Sequence, residues 1–208
     1  MPESRGLEMK NLFFFDVDTQ KDFMLKSGAL YVPGAERLIP RLRRLFDFAR
    51  KNEITVISSL DVHEPDDPEF EQFPPHCVRG TDGARKLDDT LLPKPLIFPN
   101  TLVDRNLADV VLRNRQIIVE KNTFDVFTNP MTERLIRVLP PRAIVFGVAT
   151  EYCVRAACLG LRRLGVQTVV VDNAVQGIAP RTEKAALDEL RAAGVNFTAL
   201  EMLIDLNS

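Results

Sequence analysis

Cysteine, histidine and tryptophan are scarce in this chain of 208 residues, which holds three, two and none of them respectively. Cys77, Cys153 and Cys158 do not make a disulfide framework, which argues against a stapled secreted scaffold; the expected compartment is a reducing cytoplasm. An excess of one charge is also missing. The formal net charge is -2, so nothing suggests a polyanionic partner, and nucleic-acid binding is not expected. The most basic stretch, residues 37–51, spaces Leu38, Leu42, Leu45, Phe46 and Ala49 at helical intervals and reads as a helix with a solvated basic face. No apolar run approaches the ~20 residues that span a bilayer. The opening MPESRGLEMKN is polar and has no signal-peptide core, so no membrane partner is expected.

What is present is ordinary for a soluble globular enzyme, with 45% hydrophobic and 27% charged residues. Short β-branched or aromatic runs at 11–18, 54–60, 116–120, 143–148, 167–172 and 195–200 read as strands. Helical patterns lie between most of them, at 36–51, 130–139, 152–164 and 182–193. Gly165 and Gly194 each fall where a helix should stop. This alternation predicts one α/β domain over residues 1–208, a three-layer α/β/α sandwich around a mainly parallel, roughly six-stranded Rossmann-like sheet. Residues 60–116 break the rhythm with a proline-rich, acidic excursion long enough to be functional.

Sites in parallel sheets gather at the carboxyl ends of strands. Asp18, Asp61, His63, Lys121 and Cys153 all fall at or just past such ends. The first strand, within FFFDVDTQKDF, carries Asp16 and Asp18 two residues apart, a spacing that in extended chain puts both on one face. Cys153 sits near a helix N-terminus, where backbone N–H groups favour a thiolate, although a buried inert cysteine is the commoner role. Asp61, His63 and His76 form a mixed oxygen and nitrogen set suited to a divalent transition ion, unless they are a surface loop without one.

Four blocks in order, FFFDVDTQKDF, SLDVHEP…FPPHCVRGTDGA, IIVEKNTFDVF and VFGVATEYCVRAACLGLRRLGVQTVVVDNAVQG, resemble the isochorismatase-like cysteine hydrolases, and among them the nicotinamidases. The resemblance implies Asp18 as catalytic acid/base, Lys121 as catalytic lysine and Cys153 as nucleophile. It implies backbone donors at Ala149 and Cys153 for an oxyanion, with a cis peptide between Val148 and Ala149. Asp61, His63 and His76 match the family's metal ligands, for zinc or alternatively iron or manganese. A further ligand in that loop is open among Glu64, Glu69 and Glu71. Phe23 and Phe73 are the expected walls for an aromatic ring; Phe73 stands where nicotinamidases usually have tryptophan. Asp16 has no family counterpart and reads as structural.

The implied reaction is hydrolysis of nicotinamide to nicotinate and ammonia through a cysteine thioester, a step in NAD salvage. A sister amidohydrolase acting on a carbamoyl or ureido compound, or another small amide, is the alternative. A hydrolase whose metal activates water, with Cys153 incidental, and a noncatalytic binder of small molecules are further readings. The expected partner is a small-molecule amide, and a homo-oligomeric state stays open.

Overall fold

The computed structural model describes residues 11–205; the polar N-terminal stretch 1–10 lies outside them. Seven strands form one sheet: β1 (Leu12–Val17), β2 (Val56–Asp61), β3 (Leu96–Phe98), β4 (Gln116–Lys121), β5 (Arg142–Val148), β6 (Gln167–Gln176) and β7 (Asn196–Thr198). Their order is β3-β4-β2-β1-β5-β6-β7, and every pairing is parallel. The helices are α1 (Lys21–Met24), α2 (Ile39–Lys51), α3 (Leu107–Arg113), α4 (Pro130–Ile136), α5 (Arg155–Arg163), α6 (Pro180–Ala192) and α7 (Leu200–Asp205).

The central strand explains the layering. All six residues of β1, LFFFDV, are buried, because alternate side chains enter opposite cores. Leu12 and Phe14 pack with Leu42 and Leu45 of α2 and Leu203 of α7. Phe13, Phe15 and Val17 pack with residues of α3, α4, α5 and α6, among them Val110, Leu135, Leu161 and Leu190. Helix ends are set locally. Asn129 accepts a hydrogen bond from the Met131 amide at 2.8 Å, with Pro130 opening α4. Gly165 and Gly194 sit at φ 79° and 78°, the left-handed conformation that stops α5 and α6.

Three features differ from the expectation. The seventh strand, β3, has only three residues between Pro95 and Pro99, too short for a period to register. Strand β6 continues past the polar pair Asp172–Asn173 to Gln176, helped by a register shift against β5 between Val145 and Gly147. The excursion at 60–116 contains β3 and the crossover helix α3 as well as irregular chain. Among the described residues no helix is long and apolar enough to cross a membrane.

Strand order reverses at β1, whose neighbours are β2 on one side and β5 on the other. That places the crevice of a doubly wound sheet over the carboxyl ends of β1 and β5.

Candidate active site

Asp16 and Asp18 do not share a face. Asp18 leaves the strand with φ 46°, a left-handed turn that swings its side chain away from the direction strand alternation predicts. Two consecutive serines of β2, whose side chains alternate across the sheet, then hold one carboxylate each. Ser58 donates to Asp16 at 2.8 Å and Ser59 to Asp18 at 2.6 Å. Asp16 belongs to a buried polar cluster with Lys86 Nζ at 2.6 Å and the Thr19 hydroxyl at 2.9 Å. It neutralises a buried lysine, the structural role anticipated for it.

Asp18 faces Lys121. The Lys121 ammonium lies 2.9 Å from Asp18 Oδ2, 2.9 Å from Asp61 Oδ1 and 3.9 Å from the sulfur of Cys153. Register brings it there, since Asp61 and Lys121 are paired residues at the ends of β2 and β4. Asp18 Oδ2 is within ion-pair distance of the ammonium but off the direction of a hydrogen bond, so this buried oxygen keeps its acceptor capacity. Burial works against the charged lysine, but Asp18, Asp61 and Cys153 outweigh it and hold Lys121 cationic. Burial pushes the Cys153 thiol up; Lys121 pulls it down, while Asp18 and Asp61 add to the rise. The sulfur thus sits between one group that favours its anion, Lys121, and two that oppose it, Asp18 and Asp61.

Cys153 lies in a π-helical turn, Thr150–Val154, that leads into α5, so the helix begins two residues before its expected start. The Val148–Ala149 peptide just before it is cis, as the resemblance implied. Two carboxylates lace this turn to the loop after β6. Glu151 accepts from the amides of Ile178 (3.0 Å) and Ala179 (3.3 Å) and from the Thr182 hydroxyl (2.8 Å). Glu183 accepts from the Thr150 hydroxyl (3.0 Å) and the Gly177 amide (2.7 Å). Both sit where α6 begins, the end of a helix that favours negative charge. Cys158 is fully buried and burial holds it protonated.

Asp61, His63 and His76 converge, with potential ligand atoms all within 4.8 Å of one another. Asp61 Oδ2 is 2.9 Å from His63 Nε2 and 3.3 Å from His76 Nε2. The two outer ring nitrogens differ: that of His76 is hydrogen-bonded, whereas that of His63 lies in ion-pair range of a carboxylate without hydrogen-bond geometry. His76 Nδ1 donates to the Pro74 carbonyl at 2.8 Å, which leaves Nε2 as the donor lone pair, and His63 Nδ1 is 3.1 Å from Asp67 Oδ2. Carbonyl and carboxylate partners of this kind orient metal-binding imidazoles. Burial pulls His63 down, yet Asp61 and Asp67 outweigh it and raise its pKa to about 9. Burial would raise Asp61, but Lys121 and the two imidazoles hold it well below the usual carboxylate range. Three buried O and N donors around one point, with the outer nitrogen of His76 tethered, fit a divalent transition ion. Of the three glutamates left open, Glu69 lines the adjoining pocket, whereas Glu64 is turned outward to Arg79 and Glu71 is exposed. Burial and the neighbouring Asp61 push Glu69 up.

A pocket lined by Asp61, His76 and Cys153 connects the thiol and the cation cluster. Phe23 and Phe73 are two of its walls, with ring centroids 5.5 and 6.4 Å from that of His76. Ala149 and Cys153 form part of the floor. Phe124, Tyr152 and Ile178 form the mouth, 51%, 39% and 40% exposed. Those three were not among the expected site residues. Phe124 and Ile178 follow strand ends β4 and β6, the signal that could have marked them.

A family model for the isochorismatase domain matches residues 13–202. The chain belongs to that family. It is similar to the nicotinamidase of Escherichia coli K12, 29% identical over 210 residues, covering 88% of this chain and 92% of that one. The nicotinamidase/pyrazinamidase of Mycobacterium tuberculosis is 29% identical over 194 residues, covering 87% and 95%. Among solved structures, the pyrazinamidase of Pyrococcus horikoshii in complex with zinc superposes with a TM-score of 0.76 at 26% identity, over 91% of this chain and 99% of that one. The chain is thus an isochorismatase-like amidohydrolase related to the nicotinamidases.

Proposed function

We propose that the protein hydrolyses nicotinamide to nicotinate and ammonia with Cys153 as nucleophile, Asp18 as acid/base and Lys121 as the charge that supports both. The observation that carries the substrate choice is the lining of the pocket over Cys153. Its walls are aromatic and aliphatic, and the charged groups among its described lining residues are the carboxylates of Asp61 and Glu69, with no arginine or lysine. A flat, neutral aromatic amide suits such walls. A ureido or carbamoyl acid needs a basic side chain for its carboxylate, and the described lining residues supply none.

The carboxamide carbon sits over the sulfur with the ring between Phe23 and Phe73. Sulfur attacks that carbon while Asp18 takes the thiol proton, so two anions never coexist. An ammonium 3.9 Å from sulfur stabilises its developing charge by on the order of 4 kcal/mol at an effective dielectric of 20. The backbone amides of Ala149 and Cys153 receive the oxyanion. The C–N bond then breaks, Asp18 passes its proton to the leaving nitrogen, and ammonia departs from a thioester. Water attacks the thioester carbon with Asp18 again as base; the acid product leaves and sulfur regains a proton. Asp61, His63 and His76 would hold zinc, or iron or manganese, with Glu69 beside them, and when bound such an ion anchors the pyridine nitrogen and orients the amide toward sulfur.

An ammonia-release screen of nicotinamide, pyrazinamide and a panel of ureido acids, with and without chelator, tests this reading. Nicotinamide turnover that falls on chelation is expected. Metal-replete protein that turns over a ureido acid and ignores nicotinamide overturns it.

A further inference from the structure

Strand β1 stops pairing with β2 at Asp16, which lies opposite Ser58, and the backbone turns away at Asp18. Asp61, three residues further along β2, pairs with Lys121 of β4 on one side and has no β1 main chain on the other. The side chain of Gln20 fills that gap. Its Oε1 accepts from the Asp61 amide at 2.7 Å, and its Nε2 donates to the Asp61 carbonyl at 2.7 Å and to the Ala84 carbonyl at 2.9 Å. A primary carboxamide offers the same donor and acceptor as a peptide unit, so the buried Gln20 continues the ladder where the backbone has left it.

Asp22 plays the same part for the second histidine. Its Oδ2 accepts from the Cys77 amide at 2.7 Å and its Oδ1 from the Ala29 amide at 2.9 Å. The Cys77 carbonyl in turn accepts from the His63 amide at 3.1 Å, so the residue after His76 is fixed between Asp22 and His63. The space around this carboxylate is built to fit: a Cβ at Gly28 would come within 2.2 Å of the Asp22 carbonyl oxygen, and one at Gly83 within 2.2 Å of Asp22 Oδ1.

We propose that Gln20 and Asp22 are positioning residues for the cation cluster, Gln20 through the backbone of Asp61 and Asp22 through the segment that carries His76. The proposal rests on the reading of Asp61, His63 and His76 as metal ligands. Within the stretch DTQKD, residues 18–22, Asp18 then moves the proton while Gln20 and Asp22 hold the geometry of the ion site.

The test is zinc affinity, read with the intact chain stripped by chelator and titrated against a competing chromophoric chelator. Wild type is compared with Gln20→Met, which keeps length without donor or acceptor, and Asp22→Asn, which must turn an amide N–H toward one of two backbone N–H groups. Each variant is expected to bind zinc about 10- to 100-fold more weakly, with nicotinamide turnover recovering as zinc is raised to saturation. For a variant whose zinc-free form melts near assay temperature, a smaller zinc-induced rise in melting temperature reports the same loss. Wild-type affinity in both variants overturns the proposal. So does failure of both to fold even with zinc, because a positioning role leaves the core intact. A wild-type chain that binds no zinc instead defeats the metal reading on which the proposal stands.

Discussion

Replacing Lys121 with methionine removes one ammonium from between three acidic groups and keeps most of the side-chain volume. The nitrogen lost is 3.9 Å from the Cys153 sulfur and 2.9 Å from each of two carboxylates, and all but 1% of the lysine is buried. Removing it costs the sulfur anion about 4 kcal/mol. At 1.36 kcal/mol per decade that is about a thousandfold in kcat/KM. Stability should fall as well, because buried carboxylates left without their cation cost about 3–5 kcal/mol unless one takes up a proton. Zinc is expected to restore part of the stability, through Asp61, without restoring the rate. Lys121→Arg should not rescue turnover, since a planar guanidinium does not replace a point charge in this packed setting. The assays are steady-state ammonia release and urea denaturation, each with and without zinc. A methionine variant within tenfold of wild type in kcat/KM would refute the reasoning.

Cys153→Ala should abolish ammonia release while retaining wild-type zinc affinity, since the cation cluster contains no cysteine; zinc titration beside the activity assay checks both halves. Glu151→Ala frees the Ile178 edge of the pocket mouth and should raise KM about tenfold, roughly 1.4 kcal/mol, while Glu151→Gln, which keeps an acceptor oxygen, stays near wild type. In zinc-free protein the His63 pKa of about 9 lies above its unfolded value. Its stabilisation is therefore complete below about pH 6.5 and is lost as pH rises toward 9, so melting temperature should fall across that window. A profile that rises there, or one left unchanged by His63→Ala, contradicts the assignment.

Much of this site was legible because parallel sheets put chemistry at strand ends. Asp18, Asp61, Lys121 and Cys153 could be collected from the sequence without knowing the strand order. Strand order is what made the β1–β5 crevice, and the sequence carried no sign of it beyond the alternation itself. The same-face expectation for Asp16 and Asp18 failed because alternation holds only while the chain stays extended, and Asp18 does not. That Glu69, and neither Glu64 nor Glu71, lines the pocket needed coordinates, since three glutamates in one irregular loop differ only in where the loop turns them. Gln20 stands within FFFDVDTQKDF, but its role was hidden, because a side chain standing in for a missing strand leaves no periodic trace.

The central claim is that the carbonyl carbon of the substrate becomes bonded to Cys153 while Asp18 and Lys121 hold the proton and the charge. Acid-quenching zinc-loaded enzyme during turnover of nicotinamide, followed by peptide mass spectrometry, tests it most directly. The account predicts one nicotinoyl group on the peptide containing Cys153, absent in Cys153→Ala. Sustained turnover by Cys153→Ala, with no acyl group on any peptide, would contradict it.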